Sequence, residues 1–267
     1  MPIHPTAIVD PKAEIDPAAE IGPYAIVEEN ARIGAGTRLW PHAFVGRDTR
    51  MGEGNEVHPG AAVGHAPQDR NYKRGTRSFL EVGDENVFRE GSSIHRGTEE
   101  GATTRIGSGC LFMATSHAGH DCRVADGVTF ANCALLGGHV SIGNGAILAG
   151  GAMVHQFVRI GRLAMIAGGA RVRMDVPPFM LTEHDGSVRQ LNIIGLQRDP
   201  GIPDESIRAL KGAFRTLYRE GLSLADAIAR LEADFDAPEA NELTEFLKAE
   251  SKRGIARPPR AGGRGNG

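Results

Sequence analysis

The 267-residue sequence predicts a mainly β fold, a parallel β-helix of very short strands followed by a small α-helical domain. Three observations lead there. A large aliphatic residue returns at every sixth position over most of the chain. Glycine is abundant at 36 residues while aromatics make up only 5%, so the core is aliphatic and the turns are tight. After about residue 203 the apolar spacing becomes helical.

From Ile3 the chain parses without a gap into IHPTAI, VDPKAE, IDPAAE, IGPYAI and onward, eleven hexads ending at Gln68. Phase is lost over Asp69 to Glu81, regained for three hexads from Val82, and lost again over Glu100 to Arg105. It then holds for eleven more hexads, from Ile106 to Arg171. An alternating sandwich has no reason to keep a strict period of six. Short strands joined by tight turns do, because each coil stacks on its neighbours and the repeating aliphatic fills the axis. Three hexads per coil give about eight coils, and a spacing of ~4.8 Å makes a prism roughly 40 Å tall. The two phase breaks read as loop insertions near residues 69–81 and 100–105.

The prolines of "VPPFM" (Val176 to Met180) interrupt the ladder. From Pro203, Ile207, Leu210, Phe214, Leu217 and Tyr218 share one helical face, and Leu222, Leu224, Ala227, Ile228 and Leu231 repeat the pattern behind Ser223 as N-cap. "APEANELTEFLKAES" suggests a third helix. The expected domains are residues 1–190 for the β-helix and 191–253 for the helices, with 254–267 a basic tail that frays in solvent.

A net charge of -3 gives no field favouring nucleic acid. Three cysteines without CxxC spacing imply neither a disulfide framework nor a thiolate zinc site. No apolar run approaches the ~20 residues that span a bilayer, so no membrane insertion is expected and a cytoplasmic location is the natural reading.

The chemistry concentrates in "SHAGHDC", Ser116 to Cys122. His120, His139 and His155 are separated by 19 and 16 residues, close to one coil, so the three imidazoles are expected to line one edge with His117 nearby and Asp121 next to His120. Solvent-facing histidines would explain any one of these. A zinc site would use three imidazoles, but the His117-x-x-His120 pair lacks the glutamate of an HExxH motif. General base catalysis fits best, one histidine taking a hydroxyl proton while others hold anionic groups.

The hexads resemble the bacterial hexapeptide transferases, whose β-helices are left-handed and assemble as trimers. In order and spacing, "IHRGT", "HAGHDC", "LGGHVS", "VHQF" and "DVPPF" resemble the UDP-N-acetylglucosamine O-acyltransferase family that opens lipid A synthesis. The resemblance covers the chain to about residue 253. It implies that His120 is the base for the sugar 3-hydroxyl, that Asp121 orients it, and that the backbone N–H of Gly138 holds the oxyanion. It also implies that Asp69, His117, His139, His155 and Gln156 contact sugar and pyrophosphate, and that Asn192 and Arg198 reach the nucleotide. Gly168 stands at the acyl-chain ruler, where glycine leaves room for a long 3-hydroxyacyl group. The donor is an acyl carrier protein bearing phosphopantetheine, with no bound cofactor or metal, and Arg208, Lys211, Arg215 and Arg219 form a stripe suited to that acidic partner.

Two positions depart from the family: Asn71 replaces a frequent lysine, and Ile194 an acidic residue. A 3-amino analogue of the sugar nucleotide is therefore an alternative acceptor. Other hexapeptide acyltransferases and a non-catalytic trimeric scaffold are the remaining alternatives. A covalent route through Cys122 is conceivable, although a small strand residue suffices there.

Overall fold

A computed structural model describes residues 3–258 of the chain. The strands are mostly two residues long and form three sheets of nine, eight and ten strands, with every third strand adjacent. This is the parallel β-helix that the hexads imply, with the left hand that the family resemblance implies. The first sheet runs from Ile8–Val9 to Arg171–Val172, the second from Glu14–Ile15 to Arg159–Ile160, and the third from Glu20–Ile21 to an antiparallel closing pair, Met180–Thr182 and Val188–Leu191.

Each hexad contributes a two-residue strand and a four-residue corner. The second strand residue points inward: Val27, Val45, Val63, Ile94, Leu136 and Val172 are essentially inaccessible. In the third sheet Phe88, Phe112 and Phe130 stack with centroids 5.1 and 4.3 Å apart. The second residue of most tight corners adopts positive φ, whether it is glycine, as at Gly127 (66°), or not, as at Thr115 (59°) and Asp121 (60°).

Register settles the insertions. Neighbouring strands pair at 18-residue steps, as in Ile8↔Ile26, but Ala62↔Ser93 spans 31 residues and Ser93↔His117 spans 24. Both extra segments leave at the corner between the first and second sheets, as loops 66–78 and 96–102. They begin and end about three residues before the expected positions. Phe79–Val82 and Thr103–Ile106 are four-residue strands paired to each other, with Leu80 and Thr104 buried at period two, which a six-residue search does not detect.

The outward faces differ. The first sheet shows Ile8, Ile26, Leu135 and Met153, and the third shows Ile147, all exposed. The second carries Glu14, Arg32, Arg50, Glu81, Arg105, Arg123 and Arg159, in part paired across strands (Arg32–Glu14 3.1 Å, Arg105–Glu81 3.0 Å).

Four helices follow: α1 (Ile193–Arg198), α2 (Asp204–Arg219), α3 (Leu224–Asp234) and α4 (Pro238–Lys248). The short α1 was not expected from the spacing. Ser223 caps α3 as expected, accepting from the Asp226 N–H at 3.2 Å. Arg162 ties the helices to the prism, donating to Glu242 at 2.9 Å and lying 3.5 Å from Asp199. No helix among the described residues is long and apolar enough to cross a membrane.

The expectation that residues 254–267 fray needs correction. Ile255 bridges Asp175, the Ala256 N–H donates to the Asp175 carbonyl at 2.8 Å, and Val188 N–H donates to the Arg257 carbonyl at 2.9 Å. Backbone pairing overrides the composition there. Residues 259–267 lie outside the described residues.

Candidate active site

Three successive corners between the first and second sheets build the site: Gly119–His120–Asp121, Gly137–Gly138–His139 and His155–Gln156–Phe157. The His139 N–H donates to the His120 carbonyl at 2.9 Å and the Phe157 N–H to the Gly138 carbonyl at 3.0 Å, so each corner sits 18 residues above the last. His120, Gly138 and Gln156 therefore share one column, and Asp121, His139 and Phe157 share the next. The three histidines do not stack as one column, because their spacings of 19 and 16 place them at different corner positions. They share an edge. His139 lies edge-on to His120 at 5.2 Å and flat on Phe157 at 4.7 Å.

Position 138 must be small. A Cβ there would lie 2.4 Å from His120 Cε1, so the imidazole occupies the space that a side chain would fill. His120 Nδ1 donates to Asp121 Oδ2 at 2.8 Å, which in the neutral ring makes Nε2 the acceptor facing the cavity. Asp121 is fixed in turn. Thr98 Oγ1 donates to its Oδ2 at 2.7 Å, and its own N–H donates to Thr104 Oγ1 at 2.7 Å. Burial pushes the Asp121 carboxyl up, but the hydrogen bonds from His120 and Thr98 and the nearby His139 outweigh it and hold the group below its usual range. Asp121 is thus a carboxylate at neutral pH.

A cavity of about 370 Å³ opens over His120, lined by Asp69, His95, His117, Gly138 and Gln156 among others. Asp69 Oδ2, on the 66–78 loop, is 3.7 Å from His120 Nε2, too long for a hydrogen bond and close enough to share a ligand. His117 Nδ1 pairs with Ser93 Oγ at 2.8 Å, and its ring meets His95 edge-on at 5.0 Å. Burial drives His95 down to about 3, helped by His117 and His65, so it is neutral and its Nδ1 accepts from the Gln68 N–H at 3.1 Å. Burial likewise lowers His117 and His139. His155 bonds Arg253 Nη2 at 2.7 Å and Arg253 Nε donates to the Gln156 carbonyl at 2.8 Å, so the returning C-terminal segment braces this edge.

Other expectations divide. Cys122 is fully buried, its Sγ donates to the Gly137 carbonyl at 3.2 Å, and burial pushes the thiol up to about 12, which removes it as a nucleophile. Donor atoms of His120, Asp121 and His139 fall within 4.8 Å of one another, a possible cation set, although His120 and Asp121 already satisfy each other. Neither Asn192 nor Arg198 lines the His120 cavity of its own chain.

The geometry has counterparts among known proteins. Residues 175–256 match the family model described as Udp N-acetylglucosamine O-acyltransferase; Domain 2. An acyl-[acyl-carrier-protein]--UDP-N-acetylglucosamine O-acyltransferase of Trichlorobacter lovleyi is 54% identical over 263 residues, covering 96% of this chain and 100% of the relative. One from Anaeromyxobacter dehalogenans is 45% identical over 260 residues, with the same coverage. The solved structure of LpxA from Acinetobacter baumannii superposes with a TM-score of 0.92 at 39% identity, covering 96% of this chain and 100% of that one. The chain belongs to this acyltransferase family.

Within the acyltransferase, Asn192 caps α1, accepting from the Gly195 N–H at 3.1 Å and donating to the Leu163 carbonyl at 2.9 Å. One amide N–H and the amide oxygen are thus engaged in holding α1 against the prism. Arg198 is exposed at the end of α1, and Ile194 is 64% exposed. At Gly168 an added Cβ would meet only the Gly150 carbonyl at 3.5 Å, an ordinary contact, so a side chain would project clear of its own chain. Sequence reasoning does not single out three residues: His95 inside the quoted "IHRGT", Thr98 at its end, and Arg253 just before the tail. The Thr98 and His95 bonds involve the loops, and the Arg253 bonds come from the returning C-terminal segment, none of which the repeat encodes.

Proposed function

We propose that this acyltransferase transfers a 3-hydroxyacyl group from acyl carrier protein to the 3-hydroxyl of UDP-N-acetylglucosamine, the acylation that opens lipid A synthesis, with His120 as general base. One observation carries the assignment of the base: an imidazole fixed through Nδ1 to a half-buried carboxylate, with Nε2 opening into a cavity that neutral histidines help to line. His120 Nε2 accepts the hydroxyl proton as the sugar oxygen attacks the thioester carbonyl. The C–O bond forms, the C–S bond breaks, and the proton passes to the departing thiolate of the phosphopantetheine arm. Asp121 stabilises the transient imidazolium. The Gly138 N–H makes no backbone hydrogen bond among the described residues and sits beside the imidazole, which supports it as the oxyanion donor. Asp69, His117 and Gln156 face the acceptor, with His139 and His155 at its edge. Gly168 leaves room for a long acyl chain, and the exposed Arg208, Lys211, Arg215 and Arg219 of α2 suit an acidic carrier.

The exposed apolar residues on the upper coils of the first and third sheets, Leu135, Met153 and Ile147, against the charged second, favour a homotrimer in which those unlike faces meet. Asn192 and Arg198, outside the cavity of their own chain, then fit a site shared between copies. The enzyme works in the cytoplasm without a resident metal or cofactor.

The test is a mass-spectrometric assay with UDP-N-acetylglucosamine, its 3-amino analogue and a series of 3-hydroxyacyl carrier proteins, beside His120→Ala. An ester product that falls by about 10²–10⁴ in the variant supports the reading. No product from folded protein with either acceptor, or full activity of His120→Ala, overturns it. Activity unchanged by a strong chelator is expected, and loss restored by zinc would put the metal back at His120, Asp121 and His139.

A further inference from the structure

Arg96 is only 5% exposed, yet no carboxylate partners it among the described residues. Its Nη1 donates to the Gly64 carbonyl at 3.0 Å, its Nη2 donates to the Tyr72 hydroxyl at 3.0 Å, and its Nε has no partner. A buried cation without an acid is costly, and replacing it by an apolar residue would ordinarily be neutral or stabilising. What Arg96 holds therefore matters. Gly64 lies at the register shift where the 66–78 loop leaves the first sheet, with φ at 87°. Tyr72 lies near the middle of that loop, and its hydroxyl donates onward to the Thr76 carbonyl at 3.4 Å, closing the loop on itself. Between these two anchors stand Gln68, Asp69 and Arg70, all lining the His120 cavity.

We propose that Arg96 and Tyr72 form a latch that positions Asp69 over His120 and so sets acceptor affinity, with Arg96 a positioning residue that touches no substrate. This rests on the reading of Asp69 as an acceptor contact. The guanidinium fork suits the task because it reaches the strand end at Gly64 and the loop at Tyr72 at a fixed angle, which a lysine ammonium cannot do. The thirteen extra residues would otherwise be anchored near Asp69 mainly by the Gln68–His95 bond.

The decisive variants are Tyr72→Phe, which removes only the hydroxyl, and Arg96→Lys, which keeps the charge. In steady-state assays the KM for the sugar nucleotide is expected to rise about five- to tenfold in each, with kcat changed less than about twofold and the KM for the acyl donor unchanged. In an Asp69→Asn background, Tyr72→Phe should add little further, because the latch acts through that carboxylate. Trypsin, with cuts mapped by mass, reads the loop without any acyl transfer: cleavage after Arg70, Lys73 or Arg74 should quicken in both variants. Unchanged cleavage in Tyr72→Phe overturns the latch, whatever becomes of Arg96→Lys. Faster cleavage with an unchanged acceptor KM, or a fall in kcat alone, overturns its role in positioning Asp69. If the wild type acylates no sugar nucleotide, the failure belongs to the proposed function, and the cleavage assay still decides whether the latch exists.

Discussion

A methyl group at position 138 would press on the His120 ring at 2.4 Å, so Gly138→Ala should displace that imidazole, the proposed base, while leaving the packed core intact. We expect kcat to fall at least about tenfold with the melting temperature nearly unchanged, checked by kinetics and calorimetry on the same preparation. Thr98→Val should act more mildly, loosening Asp121 without removing it. His95 gives a pH signature. Its value in the folded protein, about 3, lies below the usual 6.5, so the stability tied to its neutral form is complete above pH 6.5 and is lost as pH falls from there toward 3. The slope is at most about 1.4 kcal/mol per pH unit, and His117 and His139 add in the same direction. Urea midpoints at a series of pH values should show this decline, and His95→Asn should flatten it. At this scale the sequence was half legible. The hexads themselves place His120 third in AGHDCR, His139 fourth in LGGHVS and His155 second in VHQFVR, so three different corner positions could have been read directly. The Thr98–Asp121 bond could not, because it crosses the 96–102 loop.

The strands and corners obey the repeat closely, since an inward aliphatic every sixth residue leaves a two-residue strand no other way to bury it. The element most exposed to error is the phenylalanine stack. Phe112 is fully buried between Phe88 and Phe130, and Phe112→Ala should cost about 3–5 kcal/mol, read as a lower denaturation midpoint with the slope retained. The loops were legible as interruptions and not as structures: their edges shifted because Leu80 and Thr104 extend the strands at period two. Likewise α2 and α3 followed from apolar spacing, while α1, with only Leu196 buried, offered too short a pattern to detect.

For the molecule as a whole, the apolar outer faces predict association. If the proposed trimer forms, Leu135→Glu and Ile147→Glu, which place charge on the first and third sheets, should each shift it toward monomer in sedimentation velocity, whereas Arg123→Glu on the second should not. Fold class was legible at this scale because periodicity is a global property, and the return of residues 254–257 onto Asp175 was not, because composition alone argued for solvent. The constant 18-residue step has a further consequence. Such a prism is a digital object, editable in whole coils: removing 18 consecutive residues near the amino end shortens it by one storey of ~4.8 Å and returns every later side chain to its own face. Removing 17 turns all of them out of place.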